Sequence, residues 1–124
     1  MSKTILLIED NKKHSILFEV LLRGQGYDVV IAKNNEEVQQ KMEAGGTGYN
    51  LLLVDIAVPQ FNAIEFIQKY KDHYPILVVS AYADRKDVKE LIQADRRLKK
   101  SFDIHLFKRR VKEILDQQDR EKGK

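Results

Sequence analysis

Short apolar runs without polar interruption constrain the fold of this 124-residue chain more than any other feature. They lie at residues 5–8, 29–31, 51–54 and 76–79. A run that does not alternate apolar with polar residues is typical of a strand covered on both faces, as in a parallel sheet. The sequence therefore predicts a parallel sheet with helices packed on both of its sides.

Helical patterns separate these runs. Glycines 24 and 26 end the first helix, and either Asn34 or Asn35 is expected to cap the second. The apolar positions of the five predicted helices are 16–21, 38–42, 64–70, 88–92 and 104–114, and Ser101 or Asp103 begins the last. A weak, highly charged strand candidate at residues 97–99 completes five strand–helix units.

The chain is expected to form one domain over residues 1–118, followed by a polar tail at 119–124 that frays. The glycine-rich residues 45–48 are predicted to be a flexible connector. They are not a phosphate-binding loop, because they precede a strand and lack the Lys and Ser/Thr of that motif.

Composition excludes several classes of function. No cysteine is present, and His14, His73 and His105 are isolated, which argues against disulfides and zinc sites. No apolar run reaches the ~20 residues of a membrane span, and the N-terminus lacks a secretory signal, so a cytoplasmic protein is expected. The net charge of +3 is too small to indicate nucleic-acid binding by itself.

Polar residues stand where the predicted strands end. Glu9 and Asp10 follow the first strand, Asp55 the third, Ser80 closes the fourth, and Lys100 follows the weak fifth. Ligands of open parallel sheets bind beyond the carboxyl ends of the strands, so these side chains are expected to converge. The acidic pair as solvated helix-entry residues and Ser80 as a plain loop serine stay open as alternatives.

The chemistry of this set favours phosphoryl transfer. Three neighbouring carboxylates repel each other unless a cation enters, and oxygen ligands without His or Cys suit Mg²⁺. Lys100 and Ser80 suit phosphoryl oxygens, and a carboxylate such as Asp55 can act as a nucleophile that carries phosphate.

Four segments, in this order and spacing, resemble response-regulator receiver domains of two-component signalling, of the single-domain chemotaxis type. They are LLIEDN, LLLVDIAVP, VVSAYAD and LKKSF, and the resemblance extends from Ile5 to about Leu115. It implies a flavodoxin-like (βα)5 fold with a five-stranded parallel sheet of order 2-1-3-4-5. Glu9 stands where the family more often has Asp.

The resemblance also implies a function. Asp55 is expected to accept a phosphoryl group from a histidine kinase or phosphotransfer protein, with Lys100 pairing with that group and Ser80 hydrogen-bonding it. Mg²⁺ is expected on four oxygen donors: Glu9, directly or through water, Asp10, Asp55 and the backbone carbonyl of Ala57. Such a protein is a phospho-acceptor that assists its own phosphorylation and dephosphorylation, and is not an enzyme in the usual sense.

Several positions depart from the family pattern. Arg97 stands where a switch aromatic is usual, with Tyr82 nearby in sequence, and Ser101 replaces a proline that often follows a cis peptide bond. Asn62 and Ala63 replace a common Asp-Gly, which predicts a modified turn. Ala57 and the tyrosine at 82 lie two residues beyond Asp55 and Ser80, and they predict a long-lived phosphorylated form, because alanine cannot orient an attacking water.

Output is expected through protein contacts on the last helices and strand. Residues 96–112 carry eight Lys/Arg against one acid, which predicts either an acidic partner surface or a solvated, protected edge. No nucleic-acid or membrane contact is expected, since no recognition module or interleaved aromatic residues accompany the charges.

Two alternatives come from other classes of function. One is a receiver-like adaptor that binds partners without phosphorylation, motivated by Arg97 and Ser101. The other is an enzyme on the same fold, which the residues disfavour. A flavodoxin needs a phosphate loop after the first strand, a haloacid-dehalogenase-type phosphatase needs Asp where Ala57 stands, and the motif of P-loop NTPases is absent.

Overall fold

A computed structural model of the chain describes residues 2–45 and 48–122. Its strands are β1 (Thr4–Ile8), β2 (Asp28–Ala32), β3 (Leu51–Val54), β4 (Ile76–Ser80) and β5 (Arg97–Lys99). Its helices are α1 (Lys12–Gly24), α2 (Asn35–Gly45), α3 (Ala63–Tyr70), α4 (Lys86–Leu91) and α5 (Ile104–Lys122). A 3₁₀ turn at Ala94–Arg96 leads from α4 into β5.

The strands form one parallel sheet in the order β2-β1-β3-β4-β5, which confirms the predicted fold. The register pairs Ile8 with Val54, Val54 with Val78, and Ser80 with Lys99. The carboxyl ends of β1, β3, β4 and β5 therefore share one edge of the sheet. The residues that follow these strands meet at that edge.

Two apolar cores cover the sheet, one on each face, because successive side chains of a strand point to opposite sides. Leu6, Ile8, Leu52 and Val54 face the core beneath α2, α3 and α4. The opposite core contains Ile5, Leu7, Leu53, Phe18 and Phe107, and is covered by α1 and α5. β1 and β3 are buried over their apolar lengths, as their uninterrupted runs predicted.

Asparagine side chains cap three helices. Asn11 accepts a hydrogen bond from His14 N–H at 3.1 Å, and Asn34 accepts one from Glu37 N–H at 2.9 Å. Asn62 accepts one from Glu65 N–H at 3.0 Å at the start of α3. Of the two candidates for the α2 cap, Asn34 therefore supplies the side chain, because it satisfies an otherwise unpaired amide of the first turn.

The predicted change of turn after β3 is present, but at another residue. Asn62 has φ −85° and Ala63 is already helical, whereas Gln60 takes the left-handed conformation with φ 60°. A non-glycine residue tolerates this region at a cost. The Lys100–Ser101 peptide bond is cis.

Other sequence predictions concern the connector and the C-terminus. Residues 46 and 47 of the predicted glycine-rich connector lie outside the described part of the chain. Helix α5 continues to Lys122, beyond the predicted domain end at 118, and that domain boundary stays a prediction. Within residues 2–45 and 48–122, no helix is long and apolar enough to span a membrane.

Candidate functional site

Asp55 lies at the centre of the carboxyl edge, directly after β3. Its N–H donates a hydrogen bond to Ile8 C=O at 2.9 Å, so the sheet pairing continues into the site. Its side chain accepts a hydrogen bond from Ala57 N–H to Oδ1 at 2.9 Å. The residue is 5% exposed, and Oδ2 remains available to other groups of the site.

Lys100 follows β5 and brings a cation into the acidic cluster. Its backbone N–H donates to Ser80 C=O at 3.1 Å, which continues the pairing of β4 with β5. Its Nζ donates to Asp55 Oδ2 at 2.8 Å and to Glu9 Oε1 at 2.6 Å. This ammonium thus bridges the ends of β1 and β3, two strands that are adjacent in the sheet.

Glu9 and Asp10 extend from the end of β1, but their environments differ. Glu9 is 1% exposed, and its Oε2 accepts a hydrogen bond from Asn11 N–H at 3.2 Å, whereas Asp10 is exposed. One carboxylate oxygen each of Glu9, Asp10 and Asp55 lies within 4.8 Å of the others. This group of oxygens could hold a metal ion.

Burial and charge move the pKa values of the two buried acids in opposite directions. Burial raises the pKa of Glu9 to about 7, and the Asp55 charge adds to this, while the Lys100 hydrogen bond opposes it. Burial also opposes ionisation of Asp55. Hydrogen bonds from Lys100, from Ala57 N–H and from Ser80 outweigh that penalty and hold the pKa of Asp55 below its ordinary value.

Burial and charge also act on the pKa of Lys100. Burial lowers the pKa of its ammonium, but the hydrogen bonds to Asp55 and Glu9 outweigh this and keep the pKa above its ordinary value. The lysine is therefore charged at neutral pH, and it donates all of its hydrogen bonds.

Ser80 ends β4 and is fully buried. Its Oγ accepts a hydrogen bond from Tyr82 N–H at 3.2 Å, which places the hydroxyl at the start of the loop that leads to α4. Tyr82 is 55% exposed.

Arg97 packs against the β4–α4 loop. Nη1 donates to Asp84 Oδ1 at 3.1 Å and to Ala83 C=O at 3.5 Å, and its side chain is 12% exposed. Nε is buried with no hydrogen-bond partner among the described residues. The position that the sequence analysis assigned to switching thus holds β5 to this loop by a charged contact.

His14 is a site residue that the sequence analysis missed. Its Nδ1 lies 2.7 Å from Lys100 Nζ, and the Phe18 ring lies 5.9 Å from the same ammonium. The sequence analysis treated this histidine as isolated because no second histidine stands near it. Local spacing gives no signal for this contact, because Lys100 lies 86 residues further along the chain.

Most cations of the basic stretch at 96–112 have partners within the fold. Arg109 pairs with Glu113 and Lys112 with Asp116, while Arg110 donates to Asp95 C=O at 2.8 Å. Arg96 donates to Gln117 Oε1 at 3.3 Å. In the described part of the chain, Lys99 and Lys108 are the members of this stretch without such a partner.

The chain is similar to known response regulators. Residues 5–112 match the sequence model of a family described as the response regulator receiver domain. The transcriptional regulatory protein CrdR of Helicobacter pylori is 30% identical over 122 residues, which cover 94% of this chain and 56% of that protein. The polar-differentiation response regulator DivK of Brucella anthropi is 28% identical over 98 residues, covering 75% of this chain and 78% of DivK.

A solved structure gives the same result for the fold. The CheY-like response regulator receiver domain protein of Methanospirillum hungatei superposes with a TM-score of 0.84 at 26% identity. The match covers 98% of this chain and 99% of the other. By contrast, the chain spans little more than half of the H. pylori regulator that it matches.

Proposed function

The chain belongs to the response regulator receiver domain family, and we propose that it is switched by Mg²⁺-dependent phosphorylation of Asp55. One observation carries this proposal. Lys100 Nζ contacts Asp55 Oδ2 at 2.8 Å, next to a group of carboxylate oxygens that could hold a metal ion. A nucleophilic carboxylate, a fixed cation and a metal site in contact are what transfer of a phosphoryl group to an acid requires.

In the proposed reaction, one oxygen of the Asp55 carboxylate attacks phosphorus and forms an acyl phosphate. The bond from phosphorus to the donor nitrogen or oxygen breaks, and the donor keeps that electron pair and takes a proton. The low pKa of Asp55 keeps the carboxylate ionised and therefore nucleophilic. The Lys100 ammonium and the Ser80 hydroxyl stand ready to donate hydrogen bonds to the transferred oxygens.

The residues present fit a magnesium ion. Glu9, Asp10 and Asp55 supply only carboxylate oxygens, which are the ligands of hard cations, and exposed Asp10 leaves the group open to solvent. We propose that these acids hold Mg²⁺ together with the Ala57 backbone carbonyl. When bound, the ion neutralises negative charge on the phosphoryl oxygens.

The donor is proposed to be a histidine kinase or a phosphotransfer protein, the usual partners of receiver domains. The surface beside the site suits a protein donor. Helix α1 begins directly after the acidic pair and exposes the apolar side chains Ile16, Leu17 and Val20, of which Val20 is 64% exposed. A small phosphate donor does not need such a surface, whereas a docking protein buries it.

Output is proposed to pass to a downstream protein partner through the α4-β5-α5 face. Among the described residues, internal pairing of most cations leaves Lys99, which is exposed, and Lys108, which is half-buried, without an ion pair. An acidic partner surface is therefore proposed to contact these two lysines first. Exposed ion pairs contribute little to affinity, because solvent screens them.

We further propose that the phosphorylated form is long-lived. Ala57 presents a methyl group beside the acceptor and cannot orient a water molecule for attack on the acyl phosphate. Substituting Ala57→Asn supplies an amide at that position, and dephosphorylation is expected to become several-fold faster. An unchanged dephosphorylation rate in this variant would contradict the proposal.

An adaptor that works without phosphorylation is the second candidate. The observation in its favour is Arg97, whose side chain is largely buried against the β4–α4 loop by contacts with Asp84 and Ala83. A side chain held this way does not move when Asp55 is phosphorylated, as a mobile aromatic residue at this position would. In this case partner binding is expected to be equal with and without a phosphoryl group on Asp55.

Intact mass spectrometry tests the proposed function. The chain is incubated with acetyl phosphate and Mg²⁺, beside Asp55→Ala and beside Asp72→Ala, which removes an exposed acid outside the site. One added phosphoryl group is expected in the parent and in Asp72→Ala, and none in Asp55→Ala or with EDTA. Absence of an adduct, together with no Mg²⁺-dependent binding of beryllofluoride, would exclude phosphorylation of Asp55.

A further inference from the structure

The Lys100 ammonium has no free N–H donor. An ammonium carries three hydrogens and no acceptor, so each hydrogen bond that it makes uses one hydrogen. Glu9 Oε1 at 2.6 Å, Asp55 Oδ2 at 2.8 Å and His14 Nδ1 at 2.7 Å take one each. A phosphoryl oxygen that is to bind this lysine must therefore displace one of the three acceptors.

The three acceptors are not equal. Two are buried carboxylates, with side chains 1% and 6% exposed for Glu9 and Asp55, and they form charge-assisted bonds with the ammonium. The third is an imidazole nitrogen on a side chain that is 43% exposed. The carboxylates also attract the ammonium by their negative charge, whereas the imidazole nitrogen carries none and its side chain is the most exposed of the three, so the imidazole contact yields first.

We infer that His14 is a positioning residue for Lys100: it occupies the third N–H of the ammonium and yields it to an incoming phosphoryl oxygen. The inference rests on the proposed phosphorylation of Asp55. It gives His14 a role that is distinct from metal binding and from nucleophilic attack, since the residue acts only through the lysine.

The first turn of α1 holds the imidazole in place. The Asn11 side chain accepts a hydrogen bond from His14 N–H at 3.1 Å and fixes the backbone at the helix start. The imidazole ring lies 6.4 Å from the Phe18 ring, which itself lies 5.9 Å from Lys100 Nζ. The imidazole thus has an aromatic neighbour, its Nδ1 lies 2.7 Å from the ammonium, and its side chain is 43% exposed.

Removing the imidazole is expected to make it easier for a phosphoryl oxygen to bind Lys100. In His14→Ala the third N–H faces water, which an incoming oxygen displaces more easily than a protein acceptor. An internal hydrogen bond of this kind corresponds to about a threefold to fivefold change in an equilibrium constant. The affinity for beryllofluoride in the presence of Mg²⁺, and the rate of phosphorylation by acetyl phosphate, are expected to rise by about that factor.

Substituting His14→Asn provides the rescue. The amide oxygen of asparagine lies about as far from the backbone as Nδ1 of histidine and accepts a hydrogen bond from an ammonium. This variant is expected to return both quantities to the parent values. A purely structural effect of losing the imidazole would not be reversed by a side chain that shares only the acceptor.

Both measurements are made at one pH, about pH 8. Asp72→Ala, a change at an exposed position outside the site, is the control and is expected to leave both quantities unchanged. Magnesium affinity without beryllofluoride is expected to be equal in all variants. A nitrogen NMR spectrum of the parent is expected to show the imidazole proton on Nε2, because Nδ1 accepts a hydrogen bond from Lys100.

The outcomes separate this inference from the proposed function. If the parent takes up neither phosphoryl nor beryllofluoride, the proposed function fails and the role of His14 fails with it. If the parent is phosphorylated but His14→Ala binds beryllofluoride equally or more weakly, the inference alone is wrong. A proton on Nδ1 of the parent imidazole would also overturn it.

Discussion

At the scale of single residues, Glu9 and Asp55 carry the same functional group, but the protein moves their pKa values apart. Both are buried and both contact Lys100. Asp55 receives additional hydrogen bonds from Ala57 N–H and Ser80 that lower its pKa, whereas for Glu9 burial raises the pKa more than the Lys100 hydrogen bond lowers it. The acid proposed to attack phosphorus is therefore ionised, and its neighbour is poised to change its protonation near neutral pH.

This difference predicts a pH dependence of stability in metal-free protein. Glu9 has a pKa of about 7 when folded, against an ordinary value of 4.5, so the folded state holds its proton more tightly. The contribution is complete below about pH 4.5 and is lost as the pH rises through 7. Urea unfolding in EDTA is expected to show about 2 kcal/mol less stability from this group at pH 8 than at pH 5.

The variant Glu9→Gln is the control for this prediction, because it removes the titrating group and keeps the shape. Its free energy of unfolding is expected to change less between these pH values than that of the parent. Asp55 acts in another window: its lowered pKa adds stability above its ordinary value of 3.8, which is lost as the pH falls below it. Equal pH dependence in parent and Glu9→Gln would contradict the assignment.

At the scale of elements, capping side chains and one buried arginine fix where the loops around the site begin and end. The Asn62 cap stops the loop after Asp55 and starts α3. Arg97 joins β5 to the β4–α4 loop, which begins at Ser80. The Asn62 cap and the Arg97 contacts thus fix the two loops that border Asp55.

The Asn62 cap makes a quantitative prediction. Asn62→Ala removes the acceptor for Glu65 N–H and is expected to lower the free energy of unfolding by about 1 kcal/mol. Substituting Asn62→Asp keeps an acceptor at the helix start and is expected to retain most of the stability. Chemical denaturation measures both, and an equal loss in the two variants would show that the cap does not contribute.

Substitutions of Arg97 and of its partner Asp84 are expected to change amide hydrogen exchange to different extents. Arg97→Ala breaks contacts to both Asp84 and Ala83, and faster amide hydrogen exchange is expected over residues 82–85. Asp84→Ala removes only the exposed partner, which is 55% exposed, and is expected to have a much smaller effect. Arg85→Ala, whose guanidinium pairs with Asp87, serves as the control and is expected to leave exchange at residues 82–84 unchanged.

At the scale of the whole molecule, the two apolar cores fix the position of the sheet edge. The core between the sheet and helices α1 and α5 is the one that supports Lys100. Phe18, Phe102 and Phe107 stack with ring centroids 5.0 to 6.0 Å apart beneath this residue. Phe107 is fully buried and joins α5 to α1. Packing far from the acceptor thus positions the cation of the site.

Deleting this central ring is expected to destabilise the whole domain. Phe107→Ala should lower the free energy of unfolding by about 3–5 kcal/mol, because it leaves a cavity in the α1–α5 core. The control is Ile104→Ala on the same helix, at a residue 43% exposed, for which a loss of less than about 1 kcal/mol is expected. Similar losses in both variants, measured by denaturant titration, would contradict this role of Phe107.

Much of the architecture was readable from the sequence, because buried parallel strands leave uninterrupted apolar runs. Residues 51–54 were predicted as a strand and are β3, and even the charged residues 97–99 were placed correctly by the alternation of units. The site residues at the strand ends followed from the same logic. Their proximity follows from parallel strands of one sheet, whose carboxyl ends lie at the same edge.

The tertiary structure alone decided the remaining features, because they depend on contacts between residues distant in sequence. No local pattern shows that His14 meets Lys100, since the two lie 86 residues apart, one on α1 and the other just after β5, and only the folded chain brings them together. The same holds for Arg97 with Asp84, and for the opposite pKa shifts of Glu9 and Asp55. The sequence by itself determined which groups reach the sheet edge, and long-range packing determined how they share hydrogen bonds and charge.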